Sequence, residues 1–211
     1  MWYAVVGNGP SACDEQTAEL VDACQFVVRI NQWRLHFPNG EAGSRCDAWA
    51  HYGSRSYLER EGVLPRGLYE VWFTQPSHRS EMGSPNQPSL KAAKEYAEHR
   101  VVQPVDDRTW WAVTERLRAE AASDEVRPTT GLTALAMALV DGPEGIVLTG
   151  FDATTHDRPG WGDNREVEPW RVVPTHDHVA EKHLIAELAD QGFWLGAPTR
   201  TKLRWLGRPH F

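Results

Sequence analysis

The residues best suited to acid–base chemistry gather near the end of the chain, in Pro174-Thr175-His176-Asp177-His178-Val179-Ala180-Glu181-Lys182-His183. His176 and Glu181 have four residues between them and fall near an expected helix start. Imidazole is the side chain that exchanges protons near neutral pH, which makes His176 a candidate base. His176, His178 and His183 stand two and five positions apart, so they lack the i, i+4 pair of a helical zinc site and no metal is expected. An ordinary surface histidine cluster has the same composition.

Three further segments suit an anion or a sugar. Arg127-Pro128-Thr129-Thr130-Gly131 opens an apolar helical stretch. Two hydroxyls, free N–H groups and a guanidinium at a helix start favour a carboxylate or phosphate. The same residues also make a plain N-cap, with Pro128 fixing the helix entry. Gly7-Asn8-Gly9-Pro10-Ser11 offers close backbone approach, an amide and a hydroxyl, a combination fit for a ribose or phosphate. It lacks the full G-x-G-x-x-G spacing, so a dinucleotide fingerprint is not met, and a simple turn would use the same residues. Arg29-Ile30-Asn31-Gln32 ends an apolar run and can hold an anion as well.

The elements that must position these groups follow from pattern. Residues 2–6 and 26–30 read as buried strands, joined by a helix over 15–24 with Asp14 as its N-cap. A crossover helix between two short apolar strands packs as a parallel βαβ unit. Strands are expected over 47–51, 70–74, 145–149 and 193–195, the last completing the sheet and leaving a basic tail through Lys202, Arg204 and Arg208. Helices are expected over 56–61, 89–100, 106–122, 130–140 and 177–189. Proline, glycine and small polar residues make 75–88 an irregular loop, and 152–174 a long one. This alternation predicts a single Rossmann-like α/β domain over 1–211, a doubly wound, mainly parallel sheet flanked by helices. In such a sheet ligands bind beyond the carboxyl ends of the strands, where strand order reverses.

Composition narrows the classes. The 211 residues are 41% hydrophobic and 24% charged, enough for one substantial core. The net charge of −7 disfavours a nucleic-acid partner. No long apolar run predicts a transmembrane segment, and Met1-Trp2-Tyr3-Ala4 does not open a secretory signal. Cys13, Cys24 and Cys46 are too few for a disulfide framework or a four-thiolate zinc site, which points to a reducing, cytoplasmic setting. The ten tryptophans read mainly as core filler.

Taken in order, the polar segments resemble the motifs of the sialyltransferases, both the animal-type family and the bacterial lipooligosaccharide sialyltransferases. Val5-Val6-Gly7-Asn8-Gly9-Pro10-Ser11, Phe26-Val27-Val28-Arg29-Ile30-Asn31-Gln32 and Gly43-Ser44-Arg45-Cys46-Asp47 look like the long motif. Arg127 to Leu132, followed by Ile146-Val147-Leu148-Thr149-Gly150-Phe151-Asp152, looks like the short motif, and His176 with Glu181 matches the late H-x4-E motif. The resemblance implies a sialyltransferase-type GT-A variant of the fold and a metal-independent, inverting transfer of an acidic sugar from a CMP-sugar to a hydroxyl of a small molecule or glycan. By position, Asn8, with Gly9 and Ser11 in the same loop, and Asn31 would contact the donor's ribose or phosphate. Thr129, Thr130 and Gly131, assisted by Arg127, would cradle its carboxylate or phosphate. Gly150, Phe151 and Asp152 would lie along the cytosine, His176 would be the base, and Glu181 would support the site. The donor is a substrate, and no cofactor is implied.

The chain also departs from the pattern. The bacterial relatives hold the leaving phosphate with tyrosines after the short motif, where residues 152–161 here have none, and His156 takes that assignment. The cysteine pair that links the animal motifs has no counterpart, since no cysteine follows Cys46. A short chain leaves little for an acceptor domain. Trp110, Trp111, Trp161 and Trp170 are candidates for a sugar-stacking wall, and the loop over 75–88 for a lid. Two other readings stand beside transfer: a CMP-nucleotide or CMP-sugar hydrolase in which His176 activates water, and a cytidine-nucleotide-binding module without turnover.

Overall fold

A computed structural model describes residues 1–13, 15–36, 39–53, 67–76, 90–97, 100–152, 176–195 and 197–206. In chain order the elements are β1 (Trp2–Val6), α1 (Glu15–Ala23), β2 (Phe26–Ile30), α2 (Trp33–His36), β3 (Ala48–His51), β4 (Glu70–Phe73), α3 (Leu90–Tyr96) and β5 (Val101–Pro104). They continue as α4 (Asp107–Ala121), α5 (Thr130–Val140), β6 (Gly145–Thr149), α6 (His178–Gln191), β7 (Phe193–Trp194), β8 (Ala197–Pro198) and β9 (Lys202–Trp205). The expected helix over 56–61, the Asp14 cap and nearly all of the loops over 75–88 and 152–174, with His156, Trp161 and Trp170, lie outside the described residues.

Seven strands form one sheet in the order β5-β4-β3-β2-β1-β6-β9, with every pairing parallel. Alternate side chains feed two cores, as period-2 geometry demands. Tyr3, Val5, Ile146 and Leu148 pack with α4, α5 and α6 on one face, whereas Ala4, Val6, Val27 and Val147 pack with α1 and Trp33 on the other. The apolar α5 has Leu132 to Ala138 all buried and lies against β1, β2 and β3. Trp33, Trp49, Trp72 and Trp110 are core residues, which removes Trp110 from any sugar-stacking wall; Trp111 is 38% exposed.

One charge is buried within the sheet. Arg29 on β2 donates from Nε to the Arg45 carbonyl at 2.9 Å and from Nη1 to the Ala42 carbonyl at 2.8 Å, and its guanidinium lies 4.9 Å over the Trp33 ring. Asp22 stands 4.0 Å from Nη2 and accepts backbone N–H groups of Ser44 and Arg45. These bonds offset the desolvation of the charge and fold the Gly43-Ser44-Arg45-Cys46-Asp47 segment against β2.

The two edges of the sheet correct the sequence reading. Residues 193–195 do not complete the sheet: Phe193–Trp194 pairs antiparallel with Ala197–Pro198, apart from it. The edge position belongs to Lys202–Trp205, expected as a basic tail. Leu203 and Trp205 pack on the core while Lys202 and Arg204 are exposed, a charged edge that resists pairing with another chain. At the other edge, Val101–Pro104 adds a strand that was not anticipated, and of the helix expected over 89–100 the described residues show Leu90–Tyr96. A proline is tolerated at such an edge.

Strand order reverses between β1 and β6, and there the two backbones meet. Gly7 donates its N–H to the Thr149 carbonyl at 2.8 Å and Gly9 donates to the Gly150 carbonyl at 2.9 Å. A Cβ on Gly7 would run into the carbonyl oxygen of Gly150, and one on Gly150 into that of Gly7; Gly150 also has φ +72. Because the obstruction is backbone on both sides, it cannot rotate away. Gly7→Ala is therefore expected to cost about 3 kcal/mol or more of stability in denaturant unfolding. A loss below about 1 kcal/mol would show that the two backbones move apart readily to admit a methyl group.

Candidate functional site

The crevice at the β1–β6 reversal is built first from Ser11. Its hydroxyl donates to Asp152 Oδ1 at 2.7 Å and accepts the Gly150 N–H at 2.8 Å, while its own N–H donates to the Asp152 carboxylate. Thr149 Oγ1 donates to the Ser11 carbonyl at 2.8 Å. Ser11, expected to offer its hydroxyl to a ligand, thus spends its proton on strapping the two strand ends together. The strap sets Gly150, Phe151 and Asp152 along the crevice. Phe151 lies against the start of α5, where a Cβ on Gly131 would come within 3.0 Å of its ring.

Asn8 and Asn31 are brought to the neighbouring strand ends. Asn8 Nδ2 donates to the Ile30 carbonyl at 3.2 Å, and since a carbonyl only accepts, this fixes the amide orientation. Asn8 Oδ1 is buried and lacks a partner among the described residues. A buried acceptor costs free energy until a donor reaches it, so the oxygen is suited to a ligand hydroxyl or N–H. Asn31 follows the peptide that Asn8 grips and holds a left-handed conformation, φ 48.

Two helix starts complete the crevice. The chain leaves α5 at Val140 and enters β6 at Gly145, so α5 begins at the opposite, carboxyl edge of the sheet. Thr129 is its N-cap, with Oγ1 accepting the Leu132 N–H at 3.1 Å. As the first two helical residues, Thr130 and Gly131 carry N–H groups with no intrahelical acceptor, which leaves them for an anion. Glu181 of α6 clamps the cap from outside: Oε1 accepts the Thr129 N–H at 2.6 Å, and Oε2 lies 2.8 Å from Thr129 Oγ1. Burial pushes the Glu181 carboxyl up to about 8, against the lowering effect of the Thr129 contacts. Protonated, Glu181 donates to Thr129 Oγ1 and releases the threonine proton for another acceptor; ionised, it takes that proton itself.

His176 stands just before α6, which Asp177 caps by accepting the N–H groups of Val179 and Ala180. His176 Nδ1 lies 2.9 Å from the Arg127 carbonyl, so Nδ1 carries the proton and the Nε2 lone pair is available. Burial lowers its pKa, the Arg127 charge lowers it further, and the bond to the Arg127 carbonyl opposes both. The imidazole is therefore neutral near pH 7, the form a general base needs.

The structure thus brings Asn8, Asn31, Thr130, Gly131, Gly150, Phe151, Asp152 and His176 to the carboxyl edge, with Arg127 joined to His176 through its backbone. It adds two residues that sequence reasoning missed. Lys182 faces Asp152, whose charge supports the ammonium against burial. His51 ends β3, accepts the Gly53 N–H at 2.6 Å and is held by burial at a pKa of about 3. Only its place at a strand's carboxyl end signalled it. Among the described residues, no three His, Cys, Asp or Glu side chains converge as metal ligands, and no helix is long and apolar enough to cross a membrane.

No protein-family model matches the chain, and no curated protein matches it. Solved structures do. A mammalian sialyltransferase crystallised with Gal-beta-1-3GalNAc-ortho-nitrophenol superposes with a TM-score of 0.58 at 17% identity, over 96% of this chain and 68% of that one. The sialyltransferase CstII from Campylobacter jejuni, in complex with CMP-3FNeuAc, superposes at 0.55 with 16% identity over 98% and 80%. CST-II with a trisaccharide acceptor and CMP gives 0.57 at 16% identity over 98% and 81%. With a wholly parallel sheet, a crevice at the β1–β6 reversal and these matches along nearly its whole length, the chain has the fold of the sialyltransferases.

Proposed function

We propose that the protein transfers an acidic sugar from a CMP-sugar to a hydroxyl acceptor with inversion, His176 acting as general base. The observation that carries this reading is the His176–Arg127 bond, which fixes the imidazole tautomer beside the start of α5 and keeps Nε2 open. The acceptor hydroxyl gives its proton to Nε2 as its oxygen forms the bond to the anomeric carbon. The bond from that carbon to the phosphate oxygen breaks, and CMP leaves with one more negative charge than the phosphate carried in the donor. The Thr130 and Gly131 N–H groups, with Arg127, meet that added charge, so their stabilisation grows toward the transition state. A single phosphate needs no divalent ion for this balance. Asn8 Oδ1 accepts a ribose hydroxyl. Cytidine preference rests on the motif resemblance, and the CMP and CMP-3FNeuAc complexes of CstII support it.

Calorimetry with CMP in chelator, against UMP and AMP, tests the nucleotide: CMP-selective binding supports the reading, and equal or absent binding of all three sinks it. Turnover of a CMP-sugar only when a hydroxyl acceptor is added separates transfer from hydrolysis. His176→Ala is expected to lower kcat by about 10²–10⁴-fold with CMP affinity nearly unchanged. The acid limb of the rate profile should fall below the ordinary histidine value of 6.5, because His176 stays neutral to lower pH. A limb above that value would contradict the assigned environment.

Glu181 makes a second, independent prediction. A carboxyl raised in the folded state contributes stability that is fully present below its unfolded value of 4.5 and is lost as pH rises through about 8. The stability advantage of wild type over Glu181→Gln should therefore shrink across that window in urea unfolding. An advantage that grows with pH would show the carboxyl ionised and salt-bridged instead.

A further inference from the structure

The Ile30–Asn31 turn is held on both sides by side chains from elsewhere in the chain, Asn8 in the loop after β1 and Trp49 on β3. Asparagine is among the few non-glycine residues that enter the left-handed region readily, and at Asn31, φ 48, hydrogen bonds from neighbouring segments lock it there. The Asn31 N–H donates to the Ala50 carbonyl at 2.9 Å, and the Asn31 carbonyl accepts the Trp49 indole N–H at 2.7 Å. The preceding carbonyl is the one that Asn8 grips. Trp49 is itself fixed: 2% exposed, its ring is packed 4.6 Å from His51 and 5.8 Å from Tyr96. The ring fills the core, and the indole N–H, which needs an acceptor once buried, takes that acceptor from a residue of the crevice.

We infer that Trp49 is a positioning residue for the nucleotide site, its indole N–H holding the Asn31 carbonyl so that Asn31 stays left-handed and presents its amide beside Asn8. The inference rests on the functional reading above for what Asn31 binds, and on geometry alone for the coupling between the two residues. Trp49 is buried away from the crevice, so its effect must pass through Asn31.

A double-mutant cycle tests this. Trp49→Phe keeps a ring and removes the N–H; Asn31→Gly removes the amide and adopts positive φ without help. Trp49→Phe is expected to weaken CMP binding about tenfold in wild type, the effect of one lost hydrogen bond, and to add nothing in the Asn31→Gly background. Equal weakening in both backgrounds, or none in wild type, overturns the inference. The same cycle read by urea unfolding should show Trp49→Phe costing less stability when residue 31 is glycine. If wild type does not bind CMP, the functional reading fails, and this stability cycle alone decides the coupling, equal costs refuting it. Should Trp49→Phe not fold, the Trp49 indole proton of the wild-type protein is followed by NMR during CMP titration: a shift supports the positioning role, and no change at saturation refutes it.

Discussion

The crevice depends on the place where Gly7 and Gly150 leave no room for a side chain between them. Two parallel strands diverging at a reversal would ordinarily open a gap floored by side chains. Here the carbonyl of each residue sits where a Cβ of the other would stand, and the N–H groups of Gly7 and Gly9 close the seam on the end of β6. The backbone becomes the floor. Ser11 then has only a short reach to Gly150 and Asp152, and Phe151 is set down against Gly7 and Gly131. The distance between the β1 and β6 ends is thus fixed by backbone sterics, which side-chain motion cannot relax, and the Phe151 ring spaces the start of α5 from them.

Burial acts on the two titratable groups of the late motif in opposite directions with one result. It lowers His176 and raises Glu181, so both tend to be uncharged near neutral pH. A charged imidazolium could not accept a proton, and a charged carboxylate beside the α5 cap would oppose an anion there. Keeping both neutral leaves the positive field of the α5 N-terminus undiminished. The cost is borne by hydrogen bonds that cross the molecule: Glu181 meets Thr129 across 52 positions of sequence, and His176 meets Arg127 across 49.

That separation explains what the sequence disclosed and what it did not. β1, β2 and β6 are short apolar runs ending in polar residues, and α5 is an apolar run after Thr129, so local pattern sufficed for them. Lys202–Trp205 escaped because alternating charge on an edge strand reads as a solvated tail when the strand beside it is unknown. Val101–Pro104 escaped because a terminal proline argues against a strand everywhere except at an edge. In the candidate site, Asn8, Asn31 and His176 stood out by residue type and order, and the fold brings them to one edge of the sheet. Ser11 was legible as polar but not as a strap, for its partners Gly150 and Asp152 lie just beyond the end of another strand, β6. Trp49 was invisible: its ring satisfies the core, and only the 2.7 Å reach of its N–H to Asn31 shows a second role.

Net charge was the weakest guide of all, and the reason is physical. A chain at −7 repels polyanions at long range, yet exposed charges beyond about 8 Å are screened at physiological salt. What an ionic group in the crevice experiences is set within that radius, by the Thr130 and Gly131 N–H groups and by Arg127, in surroundings of lower dielectric than water. There the local donors outweigh the distant excess of carboxylates. Net charge disfavours a nucleic-acid groove because such a groove needs many cations over tens of ångströms. It places no bar on one phosphate at one helix start, and the fold supplies that helix start next to a neutral imidazole.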